Sequence, residues 1–120
     1  MHAFIIEDEY LIGQSLRDML EQLGFTKFSF ARSEDAAVFA ATAPRKIDLI
    51  TADVRLLPGD GVRAVEAICT KREIPVIFIT GYAEELEGRA TGATVIQKPV
   101  KQEELATAVR KALSGQGQTC

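Results

Sequence analysis

The sequence predicts an α/β fold, a doubly wound parallel sheet of five strands with five helices on its two faces. Short, mostly apolar runs alternate five times with segments whose apolar residues repeat at helical spacing. Strands that alternate with helices form right-handed βαβ units. The β-branched, almost uninterrupted apolar run 75–79 is typical of a strand buried on both faces. The predicted strands are 3–6, 27–30, 48–52, 75–79 and 93–96.

The predicted helices have recognisable ends. Gly24 stops the first helix, because glycine readily takes the conformation that ends a helix. The Ser33 hydroxyl can cap the second. The third follows a turn, LLPGDG, in which Gly59 can adopt a positive φ. The predicted helices are 10–23, 33–42, 61–71, 83–91 and 101–113.

Composition limits the class of protein. A chain of 120 residues suffices for one domain with a real core. Its net charge of −3 gives no basic footprint for nucleic acid and little attraction to an anionic membrane. The N-terminus lacks the features of a signal peptide, so a cytoplasmic protein is predicted, and no disulfide between Cys69 and Cys120 is expected. The phenylalanines predicted to lie in the core are Phe28, Phe30, Phe39 and Phe78.

Polar side chains follow the predicted strands where these strands end. Glu7 and Asp8 follow the first strand, and Asp53 follows the third. Thr80 follows the fourth strand, and Lys98 follows the fifth. The carboxyl ends of parallel strands meet at the edge of the sheet where ligands bind. These five residues are therefore predicted to converge, although they are far apart in the sequence.

The converging acids predict a cation site. Carboxylates about 4 Å apart repel by roughly 4 kcal/mol at an intermediate dielectric, so they must be protonated, separated or bridged by a cation. Oxygen ligands at a partly hydrated site suit Mg²⁺ or Mn²⁺. A metal held by Asp8 and Asp53 would bind one phosphoryl oxygen, with Lys98 and Thr80 available for the others. Phosphoryl transfer requires mainly such positioning and charge neutralisation, and Asp53 is the candidate nucleophile.

Four motifs in order resemble the receiver domains of two-component response regulators. The resemblance covers essentially all of residues 1–113, which leaves 114–120 as a flexible tail or the start of a linker. It implies the flavodoxin-like strand order 2-1-3-4-5. It also implies a regulatory domain that catalyses only its own phosphorylation and dephosphorylation. The motifs are IIEDE (5–9), DLITADVRLLPGDG (48–61), VIFITGY (76–82) and VIQKP (95–99).

The resemblance implies a role for each acid. Asp53 would be the phosphoacceptor. Mg²⁺ would bind to Asp8, Asp53 and the backbone carbonyl of Arg55, while Glu7 would act largely through water. Many receivers have a shorter residue at the position of Arg55. This long cation could pair with Glu7 or reach the phosphoryl group, and either contact would change the phosphate lifetime.

The resemblance also implies a switch. Thr80 would be the switch hydroxyl, and Lys98 would bind phosphate next to a cis bond to Pro99. Receivers usually carry an aromatic residue where this chain has Val95, and valine cannot make the same rotamer switch. The segment FITGY (78–82) instead resembles, in part, an alphaproteobacterial subgroup with a Phe-x-Thr-Gly-x-Tyr-like motif. The hypothesis is that loop motion at Gly81, with or without Tyr82, replaces the ring movement.

Partners follow from the same resemblance. The phosphoryl group would come from a histidine of a sensor kinase or phosphotransfer protein, which would meet the first helix. The face made by the fourth helix, fifth strand and fifth helix could form a homodimer or bind an effector. The main alternative is a receiver-fold interaction module that is never phosphorylated. A flavodoxin is disfavoured because EDEYLIG (7–13) places acids where a phosphate loop would be, and a phosphatase with Asp-x-Asp because Arg55 replaces the second acid.

Overall fold

A computed structural model of the chain describes residues 1–81 and 93–115. Strands and helices alternate as the sequence predicts, with one short two-stranded addition after the third strand. The elements are β1 (His2–Ile6), α1 (Tyr10–Gln22), β2 (Lys27–Ala31), α2 (Glu34–Ala40), β3 (Leu49–Asp53), β4 (Arg55–Leu56), β5 (Gly59–Asp60), α3 (Gly61–Cys69), β6 (Val76–Thr80), β7 (Thr94–Gln97) and α4 (Gln102–Leu113).

The five long strands form one parallel sheet in the order β2-β1-β3-β6-β7. Counted without the short pair β4 and β5, this is the predicted order 2-1-3-4-5. The described residues contain four helices, and the predicted helix at 83–91 lies outside them. β3 is the central strand, so its carboxyl end lies in the middle of the sheet edge at which the carboxyl ends of the strands meet.

The sheet is buried because each face has its own apolar core. On one face, β1 and β3 side chains such as Phe4 and Ile50 pack with α2 and α3. On the other, Ile5 and Ile77 pack with α1 and α4. Burying one large apolar side chain contributes about 1.5–3 kcal/mol, so the two cores hold the strand ends in fixed relative positions.

Several predicted helix ends are confirmed. Gly24, directly after α1 and its cap residue, has a φ of 104°. The Ser33 hydroxyl oxygen accepts a hydrogen bond from Ala36 N–H at 3.1 Å at the start of α2. The Asp60 side chain caps α3, a contact that was not predicted.

The predicted turn at 56–61 is a short antiparallel hairpin. β4 and β5 pair through Arg55 with Asp60 and through Leu56 with Gly59. Gly59 has the predicted positive φ, at 114°, and the Leu57–Pro58 bond is cis. This hairpin joins the end of β3 to the start of α3.

Two expectations about side chains are corrected. Phe39 is 79% exposed and Phe30 is 43% exposed, because α2 turns Phe39 outwards and β2 is an edge strand. Phe78 is buried and Phe28 is partly buried, as predicted. The prediction about a bond between Cys69 and Cys120 concerns Cys120, which lies outside the described residues. Over the part of the chain that is described, no helix is long and apolar enough to cross a membrane.

Candidate functional site

The predicted site residues lie together at the carboxyl edge of the sheet. One cavity of about 260 Å³ is lined by Asp8, Asp53, Arg55, Thr80 and Lys98. These residues come from four separate stretches of the chain, which lie at or just after the carboxyl ends of β1, β3, β6 and β7. The other lining residues are Glu9, Ile12, Leu57 and Gly81.

Asp53 lies at the centre of this edge. It is the last residue of β3 and pairs with Ile79 of β6. The residue is 8% exposed and lines the cavity, so its carboxylate is almost completely removed from solvent. A carboxylate in this position has little freedom to reorient.

Lys98 is directed at this carboxylate. Its Nζ lies 2.8 Å from Asp53 Oδ2 and 3.0 Å from Glu7 Oε1. Its backbone N–H donates a 2.8 Å hydrogen bond to the Thr80 carbonyl, and the Lys98–Pro99 bond is cis, as predicted. A single cation is therefore shared by two buried carboxylates.

Glu7 is the most buried acid of the site. It is 5% exposed, and its Oε2 accepts a hydrogen bond from Glu9 N–H at 3.1 Å. Its Oε1 is close to Lys98 but is not aligned for a hydrogen bond. Burial, together with the neighbouring charge of Asp53, raises the pKa of Glu7 from 4.5 to about 7.

Glu7 and Asp53 together also change the pKa of Lys98. Burial by itself would lower the pKa of the lysine, since the charged form loses water. The hydrogen bond to Asp53 and the contact with Glu7 outweigh burial, and the pKa of Lys98 is raised. Lys98 is therefore charged at neutral pH and compensates only part of the negative charge around it.

The acids have the donor chemistry of a hard-metal site. Glu7, Asp8 and Asp53 each offer an oxygen, and these oxygens lie within 4.8 Å of one another. Three carboxylates facing one lysine leave uncompensated negative charge, which a divalent cation would neutralise. All-oxygen ligands beside an open cavity suit Mg²⁺.

Arg32 is a site residue that the sequence analysis missed. It follows β2, and its Nη2 donates a 3.2 Å hydrogen bond to the backbone carbonyl of Asp8. This contact ties the loop that carries Asp8 to the neighbouring strand. An arginine directly after a strand, at the same edge as the acids, was the available signal.

The residues of the expected switch are placed as follows. Thr80 is 1% exposed at the end of β6, and Val95 on β7 is 39% exposed. A Cβ built on Gly81 would meet no atom of residues 1–81 or 93–115 within 4 Å. Tyr82 lies outside the described residues. Glu7 forms its ion pair with Lys98, and the contact of Arg55 with Glu7 or with the phosphoryl group stays a prediction.

Similarities to known proteins agree with this geometry. The chain is 38% identical over 112 residues to the phyllosphere-induced regulator PhyR of Methylorubrum extorquens, covering 91% of this chain and 42% of that protein. The solution structure of the Erythrobacter litoralis PhyR receiver domain has a TM-score of 0.87 at 35% identity and covers 98% of this chain and 92% of that one.

A third similarity is to a longer protein. The crystal structure of the anti-anti-sigma factor PhyR from Bartonella quintana has a TM-score of 0.82 at 32% identity, covering 95% of this chain and 47% of that one. The chain thus spans about half, or less, of these full-length relatives. The family model of the response regulator receiver domain matches residues 3–110. The chain belongs to this family, the regulatory receiver domains of two-component signalling.

Proposed function

We propose that the chain accepts a phosphoryl group on Asp53 from a phosphohistidine, and that this modification changes its contacts with a partner. The supporting observation is the position of Lys98 Nζ, 2.8 Å from Asp53 Oδ2, in a cavity that Asp8 and Thr80 also line. A nucleophile, a phosphate-binding cation and a hydroxyl thus face one small space.

The chemistry of the transfer follows from these groups. An Asp53 carboxylate oxygen attacks phosphorus, and the bond from phosphorus to the donor imidazole nitrogen breaks, leaving its electron pair on that nitrogen. Lys98 leaves its position between the carboxylates to bind a phosphoryl oxygen. The Thr80 hydroxyl donates a hydrogen bond to another oxygen.

We assign the metal to Asp8, Asp53 and the Arg55 carbonyl, with Glu7 acting through water. When bound, Mg²⁺ supplies positive charge to the phosphoryl oxygens during transfer. Arg32 holds the backbone of Asp8 through its hydrogen bond to the Asp8 carbonyl. Mn²⁺ has the same preference for oxygen ligands.

The switch is proposed to run through the loop after β6. Val95 cannot provide an aromatic ring, and among the described residues no atom would lie within 4 Å of a Cβ on Gly81. When phosphoryl contact draws Thr80 inwards, the loop at Gly81 moves. Amide exchange of Thr80 and Gly81 with and without a phosphoryl mimic tests this proposal, and equal exchange rates in the two states would contradict it.

The donor and the output are proposed from the family. The donor is a sensor histidine kinase or a histidine phosphotransfer protein that meets α1, and the site of action is the cytoplasm. The output is a protein contact, a homodimer or an effector on the face that includes β7 and α4. The Bartonella relative is described as an anti-anti-sigma factor, and a partner within sigma-factor control is the class to test first.

The test uses a small phosphodonor and intact mass. The protein is incubated with acetyl phosphate and Mg²⁺, with chelator in place of Mg²⁺, and as the Asp53→Asn variant. We expect one phosphoryl adduct that requires both the metal and Asp53. If neither acetyl phosphate nor any available histidine kinase gives an adduct, the chain is a phosphorylation-independent interaction module instead.

A further inference from the structure

The β4–β5 hairpin beside the phosphoacceptor is held by a residue from a different part of the fold. Oε1 of Glu34, the first residue of α2, accepts a 2.9 Å hydrogen bond from Asp60 N–H. The same oxygen accepts hydrogen bonds from Arg63 Nη2 at 2.9 Å and Nε at 3.3 Å. Glu34 N–H donates to the Pro58 carbonyl at 3.4 Å. We call Glu34, Asp60 and Arg63, with these bonds, the α2 clamp.

Close packing accompanies these bonds. A Cβ built on Gly59 would lie 2.5 Å from Glu34 Cβ, which is closer than two carbons can approach. Gly59 also has a φ of 114°, which side chains rarely allow. The start of α2 and the hairpin therefore touch directly, and only glycine permits this approach.

The hairpin held by the α2 clamp contacts the segment around Asp53 in two ways. Asp60 is the strand partner of Arg55, whose carbonyl we assign to the metal. Asp60 also caps α3, where the next residue, Gly61, donates a 2.8 Å hydrogen bond to the Val54 carbonyl. A Cβ on Gly61 would lie only 1.7 Å from the Asp53 carbonyl oxygen. Asp60 and Gly61 thus lie against residues 53–55, the segment that carries the phosphoacceptor.

The charge of Glu34 strengthens this arrangement. The hydrogen bonds from Arg63 and from the Asp60 backbone lower the pKa of Glu34, so the carboxylate is ionised at neutral pH. Hydrogen bonds to a charged acceptor are about twice as strong as those between neutral groups. The clamp is therefore a charge-assisted contact between α2, the hairpin and α3.

We propose that Glu34 is a positioning residue for phosphoryl transfer, which holds the Arg55 carbonyl and the Asp53 backbone in place through Asp60 and the hairpin. This inference rests on the proposed function of Asp53. Glu34 touches no reacting atom. Its effect reaches the site through the backbone, so removing it loosens the geometry of the metal and the nucleophile without removing either.

The test compares variants of the clamp with a matched control. Glu34→Ala removes the acceptor, Glu34→Gln keeps an acceptor oxygen without the charge, and Arg63→Met removes the second donor. Asp35→Asn is the control, because Asp35 lies in the same first turn of α2 and is not part of the clamp. Three quantities are measured: the midpoint of thermal unfolding, the Mn²⁺ affinity by electron paramagnetic resonance, and the rate of phosphorylation by acetyl phosphate.

We expect Glu34→Ala to weaken Mn²⁺ binding and to slow phosphorylation by about tenfold each, the usual loss when a residue that supports a metal ligand is removed. Glu34→Gln and Arg63→Met should fall between this variant and the wild type. Asp35→Asn should stay within twofold of the wild type. All rates and affinities are measured well below each unfolding midpoint, so that lost stability alone does not change them.

If the α2 clamp only stabilises the fold and does not position the metal and the nucleophile, the variants will behave differently. Lower unfolding midpoints with Mn²⁺ affinity and phosphorylation rate within twofold of the wild type would overturn the inference. If Glu34→Ala does not fold, Glu34→Gln and Arg63→Met decide by the same criterion. If the wild type is never phosphorylated, the proposed function fails, and the Mn²⁺ affinities decide the positioning role alone. A wild type that also fails to bind Mn²⁺ overturns both proposals.

Discussion

Lys98 shows how a single side chain sets the charge of the site. Its Nζ is within 3.0 Å of both Glu7 and Asp53, and these two acids are 5% and 8% exposed. Carboxylates removed from water need a compensating cation, because an unpaired buried charge is strongly destabilising. Lys98 supplies that compensation before a metal or a phosphoryl group arrives.

Replacing Lys98 is therefore expected to affect both stability and reaction. Lys98→Met leaves two carboxylates without their cation and should lower the free energy of unfolding by about 1.5–3 kcal/mol, the range for hydrogen bonds to charged groups. Phosphorylation should slow at least tenfold because one phosphoryl oxygen loses its cation. Urea denaturation and intact mass measure the two effects. Lys101→Met, which removes an exposed cation nearby, is the control, and equal behaviour of the two variants would contradict this role.

Gly61 and Gly81 both lie beside the candidate site, but they differ in the space available for a side chain. A Cβ on Gly61 would overlap the Asp53 carbonyl oxygen, whereas one on Gly81 would meet no atom within 4 Å in the part of the chain that the structure describes. Gly61→Ala should lower the free energy of unfolding by about 1–3 kcal/mol or more, as overpacking does. Gly81→Ala should change it by no more than about 0.5 kcal/mol. Chemical denaturation measures both, and similar losses in the two variants would contradict the packing described for Gly61.

At the level of elements, the contact of α2 with the hairpin predicts that the stability of the fold depends on pH. Arg63 and the Asp60 N–H lower the pKa of Glu34 below 4.5, and the carboxylates of Asp60 and Asp35 are the other charges near this ion pair. A lowered folded-state pKa stabilises the fold above the ordinary pKa of glutamate. That stability is lost as the pH falls through the folded-state value.

The wild type should therefore be more stable than Glu34→Gln at pH 7. The difference between the two proteins should disappear as the pH drops below the folded-state pKa of Glu34. Denaturation midpoints measured stepwise from pH 7 to pH 3 test this. Arg63→Met should remove most of the pH-dependent difference, and a gap between the wild type and Glu34→Gln that does not narrow as the pH falls would contradict the assignment to Glu34.

Some features of the helices, strands and site could be predicted from the sequence, and others could not. The alternation of strands with helices was sufficient to predict a parallel sheet, and the polar residues at the strand ends predicted the convergence of Asp53, Thr80 and Lys98, because parallel strands align their carboxyl ends. The strand order itself came from the resemblance to receiver domains. The α2 clamp was not predictable, since Glu34 and Asp60 are 26 residues apart and their contact depends on the hairpin. Phe39 was misplaced because α2 has only seven residues and buries only Ala37 completely.

For the whole molecule, two apolar cores on opposite faces of the sheet hold the strand ends that carry the site in fixed relative positions. α1 offers a direct comparison, since Leu20 is fully buried while Leu11 is 79% exposed. Leu20→Ala should lower the free energy of unfolding by about 2–5 kcal/mol through lost burial and the cavity left behind. Leu11→Ala should change it by about 0.5 kcal/mol or less. Urea denaturation of both variants checks this, and equal losses would contradict the assignment of Leu20 to the core.

The most direct test of the account locates the phosphoryl group. The protein is phosphorylated with acetyl phosphate and Mg²⁺, reduced with borohydride, which converts an aspartyl phosphate to homoserine, and mapped by tandem mass spectrometry. The account predicts homoserine at position 53 in the wild type and at no position when Mg²⁺ is chelated. Homoserine at position 8, or at no position in the presence of donor and metal, would contradict the assignment of Asp53 as the phosphoacceptor.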